Sequence, residues 1–300
     1  MQSHLPSLRA LHAFESFGRL GSVGGAAREL GVTPGAISQQ IKILEDQLQM
    51  QLIVKEGRRA SVAPRAKAYH AVLSAGFEKL KNAQTLLSQQ LADLDVHVSG
   101  LPTLLLKWLN PRLHRFEARF GEASIRLEAT HVEPDPEFLN HMFRLTYGAA
   151  SKAFPHARAL FRDTCFPVCS PSFLEANPKA RDPANIANLP WIDIDWGPAY
   201  ASVPRLSHWL QVQGLPKPAL KPMSVHSLSS SALEAAASGQ GIALAQSSFA
   251  SSDLELGRLV RMSEHTVEMP DPYFVCWGAQ MMENEKSRNF LNWLLSQAQE

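Results

Sequence analysis

Small polar and basic side chains cluster near the start of the chain in a pattern that could bind DNA. Thr33 and Pro34 begin a predicted helix whose outward positions carry hydroxyl, amide and ammonium groups. Such groups meet phosphates at a helix N-terminus and base edges in the major groove, where glutamine can contact adenine bidentately. Arginine and lysine neutralise phosphates. We expect DNA contacts from Ser22, Thr33, Pro34, Gly35, Ser38, Gln39, Lys42, Arg58 and Arg59.

Three short helices and a hairpin would position these side chains. Apolar spacing predicts helices over residues 7–18 and 23–30, the second capped by Ser22. A third helix follows the predicted cap Thr33, with a buried stripe formed by Ile37, Ile41, Leu44 and Leu48. The segments LIVK and ASVA, joined by the charged turn EGRR, predict a hairpin. This is the pattern of a winged helix-turn-helix, although any three-helix cluster with polar outer positions would look similar.

A long helix is predicted next, over residues 64–94. Its apolar positions keep a helical rhythm at Tyr69, Val72, Leu73, Gly76, Phe77, Leu80, Ala83, Leu87 and Leu91. This stripe could pack on its own chain, but the head over residues 1–63 is too small to cover it. We therefore expect a linker helix that forms a dimer.

Beyond residue 94, short β-branched runs alternate with helical segments. Strands are predicted at VHVS, SIRLEA, FPVCS, WIDI, GIALA and YFVCW, and helices near 104–120, 203–213, 228–238 and 284–298. The alternation favours an α/β region with largely parallel sheets.

The composition is that of an ordinary globular protein, with 45% apolar and 19% charged residues among 300. The charge is uneven, because residues 1–67 hold nine Lys or Arg against five Asp or Glu, whereas the rest holds 20 against 23. A basic head on a mildly acidic body fits a phosphate-binding module joined to a second module. The sequence has no signal-peptide pattern and no membrane-spanning run, so we expect the cytoplasm.

Signatures of enzymes and of metal sites are missing from the sequence. It has no G-x-S-x-G, G-x-x-x-x-G-K or H-E-x-x-H pattern, and its 11 histidines lack ligand spacing. We therefore expect neither an enzyme nor a metal or other cofactor.

The stretch GSVGGAARELGVTPGAISQQIKILEDQLQMQLIVKEGRRASVAP resembles the N-terminal domain of LysR-type transcriptional regulators. Further along, LTYG, FPVCSPSFL and LEAAASGQGIAL resemble effector-domain signatures of the subgroup that includes the glycine-cleavage and β-lactamase activators. The head departs from the family pattern, with Gln49 in place of Gly, Ile53 in place of Phe and Lys55 in place of Arg. Ala63, Ala66, Pro34 and Gln39 are further departures. These departures alter the base sequence that the head can recognise. They also leave open the alternative that the chain is a binding protein that has lost its DNA contacts.

The resemblance implies that residues 95–300 form two α/β lobes like a periplasmic binding protein, with a small effector in the cleft. Lobe one would be 95–163 plus 268–300, and lobe two 164–267. Cleft candidates are Ser99, Leu101, Thr103, Thr146, Tyr147, His226 and Ser227. Amides at a helix start after VHVSGLPT would favour a carboxylate or another anion. Helix capping is an equal alternative for Thr103 and Ser227.

The resemblance also implies a homodimer or a dimer of dimers on promoter DNA, with RNA polymerase as a further partner. Cys165, Cys169 and Cys276 match no zinc pattern. Some relatives use a thiol sensor, which here would pair Cys165 with Cys276. A buried, apolar role for all three is the interpretation we favour.

Overall fold

The computed structural model describes residues 5–56, 59–91 and 94–298. Contacts divide the chain into two compact units, Met1–Ala92 and Asp93–Glu300, and each has its own apolar core. No helix within the described ranges is long and apolar enough to cross a membrane.

The first unit consists of helices and one small hairpin. Its elements are α1 (Leu8–Leu20), α2 (Val23–Leu30), α3 (Pro34–Leu48), β1 (Ile53–Glu56), β2 (Arg59–Val62), a 3₁₀ turn (Pro64–Ala66) and α4 (Lys67–Leu91). Strands β1 and β2 pair antiparallel. The predicted winged helix-turn-helix is confirmed as a fold, because helix spacing and capping residues are local signals that packing here reinforces.

The three short helices bury the predicted apolar stripes against one another. Phe14 and Phe17 of α1 are fully buried, as are Ala26 of α2 and Leu44 of α3. Ala26 and Ala27 are the only residues of α2 that are buried, and their small side chains let the helices cross closely. The core fixes α3 so that its opposite face stays in solvent.

The long helix α4 packs on the same unit along part of its stripe. Tyr69, Leu73 and Phe77 lie against the core of the head, and Nε2 of His70 lies 2.9 Å from the Glu15 carbonyl oxygen. Leu80, in the turn beyond Phe77, is 58% exposed. The side chains of Leu87 and Leu91 are outside the described residues. Part of the predicted stripe therefore packs on its own chain, and part is open.

The second unit begins with a five-stranded sheet in the order β4-β3-β5-β13-β6, which we call the first lobe together with the helices beside it. Its strands are β3 (Val96–Gly100), β4 (Ile125–Ala129), β5 (Phe143–Tyr147), β6 (His156–Ala159) and β13 (Tyr273–Trp277). Its helical segments are a π-helix (Leu104–Leu109), α5 (Leu113–Phe120), α10 (Glu285–Gln297) and 3₁₀ turns at Asn110–Arg112, Pro136–Asn140, Gly148–Ala153 and Ala279–Glu283.

The elements between β6 and β13 form the second lobe. Its strands are β7 (Thr164–Cys169), β8 (Ile192–Ile194), β9 (Ser224–His226), β10 (Ala243–Gln246), β11 (Val260–Arg261) and β12 (Val267–Glu268). Its helices are α6 (Pro171–Ala176), α7 (Leu206–Val212), α8 (Ser229–Ala237) and α9 (Ser247–Glu255), with 3₁₀ turns at Pro178–Arg181, Pro183–Asn188 and Pro198–Tyr200.

The expectation of largely parallel sheets is wrong. Parallel pairing occurs between β3 and its neighbours β4 and β5, and between β8 and β9. Strand β13 runs antiparallel to β5 and β6, and β7 runs antiparallel to β10, β11 and β12. For β12 and β13 the reason is topological, since they carry the chain back to the first lobe and so run against β7 and β6, which lead out of it.

The two crossing segments lie side by side between the lobes. The Leu160 N–H donates to the Tyr273 carbonyl at 2.8 Å, and the Met269 N–H donates to the Asp163 carbonyl at 2.9 Å. The Asp163 side chain is buried and accepts hydrogen bonds from Ser247 and Ser248 at the start of α9. One crossing segment is thereby tied to a helix of the second lobe.

Candidate nucleic-acid interface and ligand cleft

The start of α3 is exposed and built as the sequence predicted. Thr33 Oγ1 accepts a hydrogen bond from the Ala36 N–H at 3.2 Å, and Pro34 occupies the first turn. Thr33, Pro34 and Gly35 are all exposed. The capping oxygen uses its acceptor, so the Thr33 hydroxyl proton can still be donated to a phosphate.

The outer face of α3 presents the other predicted contacts. Ser38, Gln39 and Lys42 are exposed, and Lys42 lies one turn beyond the adjacent pair Ser38 and Gln39. Ser38 Oγ donates to the Pro34 carbonyl at 3.1 Å, which fixes its side chain close to the helix. Gln39 and Lys42 have no hydrogen-bond or ionic partner among the described residues. Both side chains can therefore reach outward.

The helix preceding α3 supplies a second capped N-terminus. Ser22 Oγ accepts from the Gly25 N–H at 3.0 Å, and Ser22 is exposed. Of the two hairpin arginines, Arg58 lies outside the described residues, and for Arg59 the structure describes the backbone alone, as part of β2.

A carboxylate that the sequence analysis did not single out as a site residue positions the hairpin. Glu45 Oε1 accepts hydrogen bonds from the backbone N–H groups of Leu52, at 2.7 Å, and Ile53, at 3.1 Å. Leu52 is fully buried, so its N–H has no access to water. Glu45 therefore links the C-terminal half of α3 to the first hairpin strand. The signal is the position of Glu45 directly after the buried Leu44, inside the stretch that carries the family resemblance.

The end of α3 explains one departure from the family pattern. Gln49, in place of the usual Gly, is the C-cap with φ 51° and ψ 37°, a left-handed conformation that glycine adopts without strain. Its Nε2 donates to the Asp46 carbonyl at 2.6 Å. Glutamine is tolerated because this hydrogen bond offsets part of the backbone cost.

In the second unit, a cavity of about 440 Å³, counting space open to solvent, lies between the lobes. From the first lobe and the crossing segments it is lined by Leu101, Pro102, Thr103, Leu104, His131, Tyr147, Met269 and Tyr273. From the second lobe it is lined by Trp196, Tyr200, Val203, Leu228, Ser229, Gln246 and Phe249.

Of the seven predicted cleft residues, Leu101, Thr103 and Tyr147 line this cavity. Ser99 and Thr146 are buried behind it, in a network around Arg144. His226 and Ser227 are outside the lining. His226 is the last residue of β9 and lies between the Ser224 and Ser231 hydroxyls. His226 therefore precedes the helix predicted near 228–238, because the β9 ladder extends through His226 and α8 starts at Ser229.

Thr103 joins the two lobes. Its Oγ1 accepts the Ser230 N–H at 3.2 Å and donates to Ser230 Oγ at 3.3 Å. Thr103 therefore caps α8 of the opposite lobe and makes no side-chain cap bond to its own helix. Ser227 is not a cap either, since Leu228 holds that position in α8 without a side-chain bond.

A second bridge between the lobes is ionic. Lys107 Nζ lies 2.7 Å from Asp253 Oδ2, and both side chains are largely buried. Lys107 belongs to the π-helix of the first lobe and Asp253 to α9 of the second. An ion pair at this depth is weakly screened by salt.

Arg144, fully buried on β5, was not predicted. Its guanidinium makes a bidentate contact with Glu133, at 2.9 and 3.1 Å, and donates to Ser99 Oγ at 3.1 Å. Thr146 Oγ1 donates to the same carboxylate at 2.6 Å. The charge of Arg144 is therefore already matched inside the first lobe.

The cysteines are buried in separate places. Cys165 Sγ lies 3.5 Å from Met269 Sδ, whereas Cys276 packs with Leu139, Met142 and Phe154. Burial raises the pKa of Cys169 to about 11 and that of Cys276 to about 12, and it raises the pKa of Cys165 further. Thiols in this state are poor nucleophiles at neutral pH.

Comparison with known proteins covers almost the whole chain. A profile described as "Bacterial regulatory helix-turn-helix protein, lysR family" matches residues 8–67, and "LysR substrate binding domain" matches residues 90–299. The chain is 31% identical over 303 residues to the glycine cleavage system transcriptional activator of Escherichia coli (strain K12), covering 99% of this chain and 96% of the relative.

Solved structures agree. CrgA, a LysR-type regulator of Neisseria meningitidis, matches with a TM-score of 0.54 and 18% identity over 98% of this chain and 99% of that one, which supports the fold. The effector domain of AmpR from Pseudomonas aeruginosa matches with a TM-score of 0.54 and 26% identity, over 68% of this chain and 95% of that one. The chain therefore belongs to the LysR family of DNA-binding transcriptional regulators, with a C-terminal effector-binding domain and no enzymatic role.

Proposed function

We propose that the head docks on duplex DNA through the first turns of α3. The observation that carries this proposal is the exposed face formed by Gln39 and Lys42, which have no partner within the described chain, beside the capped helix starts at Ser22 and Thr33. Gln39 would read base edges and Lys42 would neutralise a phosphate. Pro34, Gly35, Ser38, Arg58 and Arg59 complete the proposed contact set.

The test is a binding titration on DNA fragments from upstream of the gene for this chain and its neighbours. Affinity should fall steeply with salt, and Lys42→Ala should reduce the salt slope by about one. Gln39→Ala should relax base preference at one position. Lys179→Ala, an exposed lysine of the second lobe, is the matched control. Salt-independent binding, or no binding to any fragment, would overturn the proposal.

We further propose that α4 forms the dimer contact, and that two dimers assemble on DNA. Support comes from Leu80, which lies in the apolar stripe but is 58% exposed, and from Val72 at the edge of the stripe, which is 75% exposed. Leu80→Glu should shift sedimentation towards a smaller species, whereas Ala71→Glu, on the opposite side of α4, should not. Equal sedimentation of the parent protein and Leu80→Glu would contradict this contact.

The cleft between the lobes is the proposed effector site. A ligand there would touch both lobes and would change how the linker helices hold the two heads on DNA, and with them the contact to RNA polymerase. Because the target is promoter DNA, we place the protein in the cytoplasm. Amides at helix starts would favour an anionic effector, whereas a lining without charged side chains favours an uncharged one.

A further inference from the structure

Five of the 15 residues that line the cavity between the lobes are Phe, Tyr or Trp. The ring centroid of Tyr273 lies 5.1 Å from that of Tyr147 and 5.7 Å from that of Phe249. Tyr200 continues this row at 6.2 Å from Tyr147, and Trp196 lines the same space. A cluster of packed rings offers faces and edges against which a flat, apolar ring can pack.

The lining offers no cation to an anionic ligand. Within the described residues, no Lys, Arg, Asp or Glu lines the cavity, and His131 is the one histidine. Two charged groups near the lining already have partners: Arg144 is held by Glu133, and the Asp163 carboxylate accepts hydrogen bonds from Ser247 and Ser248. Arg162 and Asp271, which act on Tyr147 from outside the lining, carry opposite charges. A carboxylate inside the cavity would therefore lose its water without touching a cationic side chain of the lining.

The helix start that faces this space is also occupied. Near the N-terminus of α8, the Ser230 N–H is donated to Thr103 Oγ1 at 3.2 Å. Ser229 Oγ beside it accepts from Trp196 Nε1 at 3.0 Å. These bonds hold the lobes and the lining together, and they reduce what α8 can offer to an anion.

Among the buried polar atoms of the described lining residues, one has no hydrogen-bond partner. Gln246 is only 6% exposed, and its Nε2 donates to the Tyr273 hydroxyl at 3.0 Å and to Met269 Sδ at 3.5 Å. A thioether sulfur accepts and cannot donate, so this orientation of the amide is the one that makes both bonds. The opposite atom, Oε1, is buried with no hydrogen-bond partner. A buried acceptor in a cavity wall is a site for a ligand donor.

We propose that the effector is an uncharged aromatic molecule whose single hydrogen-bond donor is directed at Gln246 Oε1, with its ring packed against the cluster of Tyr147, Phe249 and Tyr273. The inference rests on the proposed function of the cleft as the effector site. It names the chemical class of the ligand and the residue that sets its orientation.

Calorimetric titrations of the full chain with three probes of equal ring size distinguish an uncharged ligand with a donor from one without a donor and from an anion. 2-Naphthol is uncharged with a donor, 2-methoxynaphthalene is uncharged without one, and 2-naphthoate is an anion. We expect 2-naphthol to bind about tenfold more tightly than either of the others. Tighter or equal binding of 2-naphthoate would overturn the proposal, and so would the absence of 2-naphthol binding up to its solubility limit.

A variant pair locates the donor contact. Gln246→Leu should lower 2-naphthol affinity to that of 2-methoxynaphthalene and leave the latter unchanged, whereas Gln240→Leu, at an exposed site before β10, should change neither. Unaltered 2-naphthol binding by Gln246→Leu would refute the contact. If that variant fails to fold, the three-probe ranking in the parent protein still decides the ligand class.

A DNA titration with each probe distinguishes this inference from the proposed function. If 2-naphthol binds without changing DNA affinity, the ligand chemistry stands and the regulatory coupling fails. If 2-naphthoate alone binds and changes DNA affinity, effector control stands and the uncharged class is overturned.

Discussion

The Glu45 side chain accepts the backbone N–H of Leu52 at 2.7 Å, across the turn that separates α3 from the hairpin. Glu45→Ala would leave the Leu52 and Ile53 N–H groups unsatisfied, one of them fully buried, at a cost of about 1–3 kcal/mol. We expect faster amide exchange over residues 50–62 by mass spectrometry and weaker DNA binding. Asp46→Ala, at the exposed neighbouring acid, is the control, and equal exchange in both variants would refute the role of Glu45.

The left-handed backbone at Gln49 predicts an inverted order of stability between glycine and alanine. Gln49→Gly should be more stable than Gln49→Ala by about 1 kcal/mol, because φ is 51° there and alanine pays the steric cost. At Gln47, inside α3, alanine should be the more stable by about 1 kcal/mol. Circular dichroism during urea unfolding measures both pairs. The same order at both positions would contradict the assigned backbone.

The buried ion pair of Lys107 and Asp253 should matter more than an exposed pair. Lys107→Met leaves the Asp253 carboxylate buried with only Arg258, at 3.5 Å and partly exposed, as a cation. We expect the free energy of unfolding of the second unit to fall by about 2–4 kcal/mol. All six tryptophans lie in that unit, so their fluorescence reports it selectively. Lys179→Met is the surface control, and an equally small effect of both would refute the prediction.

His97, buried on β3, predicts a loss of stability in mild acid. Burial lowers its pKa below the ordinary 6.5, against the opposing effect of Glu128 at 3.2 Å. As the pH falls below 6.5, the unfolded chain takes up a proton that the folded chain refuses, so unfolding becomes easier. His97→Gln should flatten the stability curve between pH 7 and 5 relative to the exposed-site control His114→Gln. An unchanged slope would contradict the prediction.

The cysteines should be inert in the folded protein. With the pKa of Cys169 raised to about 11 from 9.0, its thiolate fraction at pH 8 falls about 100-fold, and burial adds a steric barrier. N-Ethylmaleimide labelling, followed by mass spectrometry, should therefore be at least that much slower than in urea. Mild peroxide should leave DNA binding unchanged in both the parent protein and Cys165→Ser. A thiol that reacts at the unfolded rate would restore the sensor alternative.

Local features were predictable from the sequence because their partners are a few residues away. Ser22 and Thr33 cap helices through N–H groups three residues ahead, so residue type and spacing were sufficient. Leu101 and Thr103 were found because a strand-to-helix junction lies at the edge of a sheet. The partner of Thr103 is Ser230, however, and nothing local to either residue predicts that bond.

The cleft lining could be predicted only in part because distant segments converge there. Gln246 ends a strand, Trp196 follows another, and Tyr273 begins a third after the chain has returned to the first lobe. Thr146 and Tyr147 are neighbours on β5, yet they face opposite sides of the strand, so one joins the Arg144 network and the other the cavity. A shift of one residue along a strand therefore decides which of two neighbours meets a ligand.

The position of β13 between β5 and β6 has a consequence for how the protein is made. During synthesis, strands β3 to β6 leave the ribosome early. Strand β13 (Tyr273–Trp277), which pairs with both β5 and β6, emerges only after the entire second lobe. The second lobe can therefore fold first, while the edges of β5 and β6 in the first lobe keep unpaired N–H and C=O groups. Nascent chains stalled before residue 273 should expose those edges, and synthesis of the last strand closes them.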